Sequence, residues 1–107
     1  MQIVPLEAVP NQTVTTTLGD QVCQIDVYEN AYGVYLDLYV VNVLIVGGAI
    51  CEDRNRVVRS LYLGFEGDLA FIDTQGTADP DYLGFGPTTS ARYVLAYLTP
   101  EELGGLG

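Results

Sequence analysis

Residues 33–40 read Gly-Val-Tyr-Leu-Asp-Leu-Tyr-Val, and this strict alternation constrains the fold more than any other feature. With a period of two, Val34, Leu36, Leu38 and Val40 share one face of an extended strand, and Tyr35, Asp37 and Tyr39 share the other. A helix would scatter both sets around its circumference. The same period recurs upstream. Val14, Thr16 and Leu18 alternate with Thr13, Thr15 and Thr17, and Cys23, Ile25 and Val27 alternate with Gln24 and Asp26. These runs are rich in β-branched residues, which favour strands. Gly19-Asp20 between them predicts a tight hairpin joining 12–18 to 21–29.

Further turns are expected at Asn30-Ala31-Tyr32-Gly33 and near Val41-Asn42. Leu44 to Cys51 follows as an almost continuous apolar strand, with Gly47-Gly48 placed to bend or bulge it. Glu52 to Asn55 is charged and reads as exposed, and Val57 to Phe65 fits a strand or an irregular segment equally well. A strand through Leu69, Phe71 and Asp73 follows the Gly67-Asp68 turn, and Arg92 to Leu98 forms the last. Thr99-Pro100-Glu101-Glu102 carries the signals of a helix start, with room for one turn at most. The expected fold is all-β: a small antiparallel β-sandwich or partly closed barrel of about seven strands. It forms a single domain over 1–98, followed by a short C-terminal turn and Gly-rich tail over 99–107.

Composition narrows the function. Asp and Glu number 14 against four arginines, giving a net charge of −10 with no lysine and no histidine. Such a chain repels phosphate backbones and anionic lipid, which argues against binding nucleic acid or a membrane surface. Without histidine the commonest general base and zinc ligand are missing, and without lysine so is Schiff-base chemistry. The opening Met1-Gln2-Ile3-Val4-Pro5 lacks the basic and apolar regions of a secretion signal, and Val43 to Cys51 is too short to span a bilayer. Synthesis in a cytosol is therefore expected, with Cys23 and Cys51 as reduced core thiols.

Thr74 to Ser90 is a long loop punctuated by glycine and proline, and such loops are usually functional. Asp73, Asp79 and Asp81 at its start supply the oxygen ligands that calcium prefers, but their spacing is not that of an EF-hand. Asp79-Pro80-Asp81 reads as readily as a turn. Glu66 and Asp73 lack the surroundings of an acid/base pair, so neither a metal, a cofactor nor a catalytic residue is expected. Arg54, Arg56 and Arg59 either meet an acidic partner or pair internally with Glu52, Asp53 or Glu66. Eight tyrosines are many for this length. Tyr35 and Tyr39 oppose the aliphatic stripe, so they need either a second sheet or a partner to cover them. The candidate interface residues are Tyr35, Tyr39, Arg54, Arg56, Arg59, Asp79, Asp81 and Tyr82.

Three stretches carry a family resemblance: Met1 to Leu6, Gly33 to Val40, and Gly64 to Gly76 continued by Asp79-Pro80-Asp81-Tyr82-Leu83-Gly84. Together they resemble the baseplate plug family of contractile-tailed bacteriophages, from Met1 to about Leu98. Val41-Asn42-Val43 departs from the Asn-Gly expected in that hairpin. The resemblance implies a virion protein of the tail baseplate, at the hub and tail-tube junction, closing the lumen before ejection. It implies assembly in the host bacterial cytoplasm and contacts with hub, tail tube, spike or tape-measure proteins in a three-fold symmetric assembly. Rings of that kind use heterologous contacts. The alternative is a monomeric module that grips a small ligand or peptide with the 74–90 loop.

Overall fold

The structure, a computed structural model, describes residues 2–58, 67–88 and 90–105. Its strands are β1 (Gln2–Val4), β2 (Asn11–Leu18), β3 (Gln21–Asn30), β4 (Gly33–Val40), β5 (Val43–Cys51), β6 (Asp68–Asp73) and β7 (Tyr93–Leu98). A short helix, α1 (Pro100–Gly105), follows β7. The strands form two antiparallel sheets, ordered β2-β3-β4-β5 and β1-β7-β6. The sandwich expectation is borne out, with seven strands among the described residues.

Three hairpins build the four-stranded sheet. Gly19 and Asp20, at φ of 56° and 64°, link the paired ends Leu18 and Gln21. This is the two-residue, left-handed turn that matches the twist of paired strands. Val41 and Asn42, at 49° and 66°, make the same turn between Val40 and Val43, although the sequence lacks Asn-Gly there. At the β3–β4 turn the Asn30 side chain accepts a 2.8 Å hydrogen bond from the Tyr32 amide. β5 bulges where its glycines predict: Leu36 pairs with Ala49 and Leu38 with Val46, so Gly47 and Gly48 both face Asp37. Gly48 takes a φ of 63°, and its amide donates to Asp37 Oδ1 at 2.6 Å. A second irregularity follows between Leu38 and Tyr39.

The alternation in β3 and β4 decides how the sheets meet. Cys23, Ile25, Leu36 and Leu38 are fully buried, and they pack in one cluster with Leu69, Phe71 and Leu95 of the second sheet. Phe85 closes this core from the long loop, stacking on Phe71 with ring centroids 5.3 Å apart. Tyr97 ties the layers at one end. A Cβ at Gly67, whose φ is +94°, would fall on the Leu98 carbonyl and the Tyr97 ring, and one at Gly19 would meet the Tyr97 hydroxyl. Only glycine permits that approach.

The chain after β5 changes sheets. Arg54 and Val57 amides donate to the Phe71 and Leu69 carbonyls at 2.8 Å each, so 53–57 lines the open edge of β6. The buried Asp68 carboxylate then accepts from the amides of Val58 and Leu69, both at 2.7 Å. The segment 57–65 thus begins as an irregular edge; residues 59–66 lie outside those described. α1 is longer than the single turn expected. Its cap is as predicted: Thr99 Oγ1 accepts from the Glu102 amide at 3.2 Å, and the Thr99 amide donates to Glu102 Oε1 at 3.0 Å.

Cys23 pairs with Val40 and Cys51 with Val34, at opposite ends of β4. Six residues of strand separate those positions, a distance of roughly 20 Å, far beyond disulfide reach. Burial pushes the Cys51 thiol up to about 12 and raises that of Cys23 as well. Both thiols should resist alkylation at pH 8 in the native protein, and denaturation should release two reactive groups. Zero groups in unreduced, denatured protein would contradict this placement. Leu36, fully buried between the sheets, sets the scale of the core: Leu36→Ala should cost about 2–5 kcal/mol in urea unfolding. A loss below about 1 kcal/mol would mean that the inner faces are not packed as described.

Candidate docking surfaces

The second sheet covers the aliphatic side of β3 and β4, which leaves Tyr35 and Tyr39 on the outer face. Both are half-buried by their neighbours alone. Register sets Asn11, Tyr28, Tyr35 and Ile50 in one row across the strands, and Thr15, Gln24, Tyr39 and Leu44 in another. Tyr28 and Tyr35 stack with ring centroids 6.0 Å apart and planes within 15°. Between these rows Asp26 and Asp37 stand directly opposite, a like-charge pairing that strands normally avoid. Each carboxylate has its own donors. Asp26 accepts from Thr13 Oγ1 at 2.9 Å and Gln24 Nε2 at 3.3 Å. Asp37 accepts from the Gly48 amide and from the Tyr28 hydroxyl at 3.0 Å. Burial, and then the neighbouring Asp37, raise the pKa of the Tyr28 phenol.

Apolar side chains gather at the rim of this face. Val22 is 56% exposed, Val41 68%, Leu44 53% and Ile50 46%, and β5 is a sheet edge. Periodicity alone did not single these residues out. The signal was present at Val22, an apolar residue on the polar side of β3.

The second surface is the 74–92 loop, and Asp73 organises it. The Asp73 carboxylate accepts from the Gln75 and Ala78 amides at 2.9 Å each. Arg92 grips the same carboxylate with Nε and a terminal nitrogen, both at 3.2 Å. This two-pronged contact lowers the Asp73 pKa to about 2, and the two amides reinforce it. The Arg92 guanidinium also lies 5.1 Å over the Tyr93 ring. Asp53 accepts from the Asp73 amide at 2.8 Å, and the Asp53 amide donates to Asp79 Oδ1 at 3.2 Å. Arg54 pairs with Asp53 at 2.6 Å and reaches the Gly76 carbonyl at 3.2 Å. Asp81 accepts from the Leu83 amide at 2.9 Å, capping a 3-10 turn over Tyr82–Gly84. The Tyr82 amide donates to Glu29 Oε1 at 3.2 Å, joining the loop to the first sheet.

The eight candidate interface residues therefore fall in separate places. Tyr35 and Tyr39 share the outer sheet face. Arg54, Asp79, Asp81 and Tyr82 surround the Asp73 loop, held by its own hydrogen bonds. Arg56 is exposed where it bridges to Ala70 on the β6 edge. Arg59 and Glu66 lie outside the described residues. Arg54 adopts the internal pairing with Asp53 that its sequence neighbours offered. Among the described residues, no three acidic or thiol groups converge on a metal-sized site. The part played by Arg92 was not legible, because it meets Asp73 only through the register of β6 and β7.

With this geometry in hand, comparison with known proteins decides the family. The family model described as cyanophage baseplate Pam3 plug gp18 matches residues 1–100. The chain belongs to this baseplate plug family. No curated protein matches it. The plug family is a structural one of the phage baseplate, and the resemblance carried by the sequence motifs holds. The match covers both sheets and the whole 74–92 loop, so plug and sandwich are the same unit.

The Asp73–Arg92 contact gives the plug a defined acid response. The folded-state pKa of about 2 lies below the ordinary 3.8, so this stabilisation is complete above the ordinary value and fades as pH falls toward 2. Asp73→Asn should lower the melting temperature at pH 7, and the gap to wild type should close between about pH 4 and 2. A gap of equal size at pH 7 and pH 2 would mean that the charge of Asp73 contributes nothing.

Proposed function

We propose that this protein plugs the phage tail at the junction of baseplate hub and tail tube, closing the lumen until ejection. The observation that carries this reading is the family match over residues 1–100. The surface suits the role. A net charge of −10 without lysine gives a lumen-facing protein little attraction for the DNA that must later pass it. The partners are baseplate hub, tail tube, spike or tape-measure proteins in a three-fold assembly, put together in the host bacterial cytoplasm. The role is held by contacts and needs no catalysis. The ligand-gripping alternative for 74–90 draws no support from the loop, whose Asp79 and Asp81 accept hydrogen bonds from the chain's own amides.

The Tyr35/Tyr39 face is the proposed docking surface. Co-expression with the hub protein encoded nearby should give a complex that survives gel filtration. Tyr35→Glu with Tyr39→Glu should break it, since each buried, unpaired carboxylate costs on the order of several kcal/mol. The double variant must keep the circular dichroism of the wild type for the comparison to count. A folded variant that still binds would remove this face from the interface. A wild type that never joins the hub, and that purified particles lack, would overturn the virion role.

A further inference from the structure

The two tight hairpin turns of the large sheet have the same backbone and unlike residues. At the β2–β3 turn the left-handed positions hold Gly19 and Asp20, at φ of 56° and 64°. Both residue types tolerate that conformation. At the β4–β5 turn the first left-handed position holds Val41, at a φ of 49°. A β-branched residue there is a steric outlier, because its Cβ crowds the following carbonyl. Glycine or asparagine would remove the strain. Burial cannot explain the choice, since Val41 is 68% exposed. The fold thus carries a strained residue whose side chain points into solvent and packs no core. Residues that break a local rule without a structural return mark functional sites.

Val41 does not stand alone. Its amide donates to the Val22 carbonyl at 3.0 Å, which sets the two valines side by side, and Val22 is 56% exposed. Leu44 pairs with Tyr39 on the same outer face and is 53% exposed. Val22, Val41 and Leu44 thus form an apolar knob at the β4–β5 turn end of the sheet, running into the Tyr39 side of the proposed docking face.

We propose that this knob, with Val41 at its tip, is the anchor by which the plug seats in an apolar pocket of another baseplate protein, one whose rim carries lysine or arginine. The inference rests on the plug reading and deepens it. Charge selects the occupant. A second copy would bring one net charge of −10 against another. The plug has no lysine and only four arginines, two of which, Arg54 and Arg92, are already held by Asp53 and Asp73. A basic rim complements the Asp26 and Asp37 carboxylates beside the knob and disfavours self-association. A hairpin tip docked this way would act as a hot spot, an apolar anchor ringed by weaker contacts.

Val41→Asn separates the two demands placed on the position. It removes the branched side chain while suiting the left-handed turn. The variant should therefore melt at a higher temperature than wild type. In phage grown on an equal mixture of wild-type and Val41→Asn plug, mass spectrometry of purified particles should find the variant under-incorporated by about tenfold. Tyr32→Asn, in the β3–β4 turn at the opposite end of the sheet and 85% exposed in wild type, should be incorporated equally with wild type. A more stable variant incorporated equally would overturn the anchor, while leaving the plug reading intact. A variant that melts lower would overturn the strain argument. Wild-type dimers in solution that Val41→Asn dissociates would overturn the choice of a basic partner. Particles that contain neither form would instead remove the plug reading itself.

Discussion

The packing of the β3 and β4 inner faces on β6 and β7 is the contact on which everything else depends. Ile25, Leu36 and Leu38 meet Leu69, Phe71 and Leu95 in one buried cluster. Period-two alternation leaves each strand of the large sheet one apolar face to bury, and the small sheet supplies one surface to bury it against. The Tyr35 and Tyr39 side is then outermost by necessity. Among the described residues no third layer covers that face; an antiparallel sheet can leave it to water, and the docking proposed above would cover it with another molecule. The alternation that folds the domain thus also creates its outer aromatic face.

The same economy appears at the edges. The open side of β6 is lined by 53–57, whose amides complete the ladder to Leu69 and Phe71. β5 is an outer strand with bulges opposite Asp37 and before Tyr39, which interrupt the regular ladder that invites indiscriminate pairing. Its apolar rim is confined to the turn end and Ile50. The long loop is folded back on the sandwich by one buried carboxylate, Asp73, and closed over the core by Phe85. Loop aspartates that a sequence reader would offer to calcium are hydrogen-bond acceptors for the chain itself.

Legibility followed the range of the interactions. Strands β2 to β5, their turns and the Thr99 cap are local, and residues a few positions apart specify them. The Gly47-Gly48 bulge was readable because glycine pairs in strands have few other uses. What escaped was set by register between distant segments: Asp73 meeting Arg92, 53–57 joining β6, Tyr97 lying across Gly19 and Gly67. Tyr35 and Tyr39 could be assigned to one face, but only the position of the second sheet shows that this face is the outer one. Val41 was legible as a departure from Asn-Gly, yet its meaning needed the backbone angle.

One face of the large sheet makes the fold, and the other is proposed to make the assembly. Electron cryomicroscopy of intact tails tests it most directly. The expected map places this sandwich in the baseplate, with the Tyr35/Tyr39 face and the β4–β5 turn against a neighbouring protein and the two sheets still packed together. A map in which the chain is present but that face and turn look into open solvent would contradict the claim.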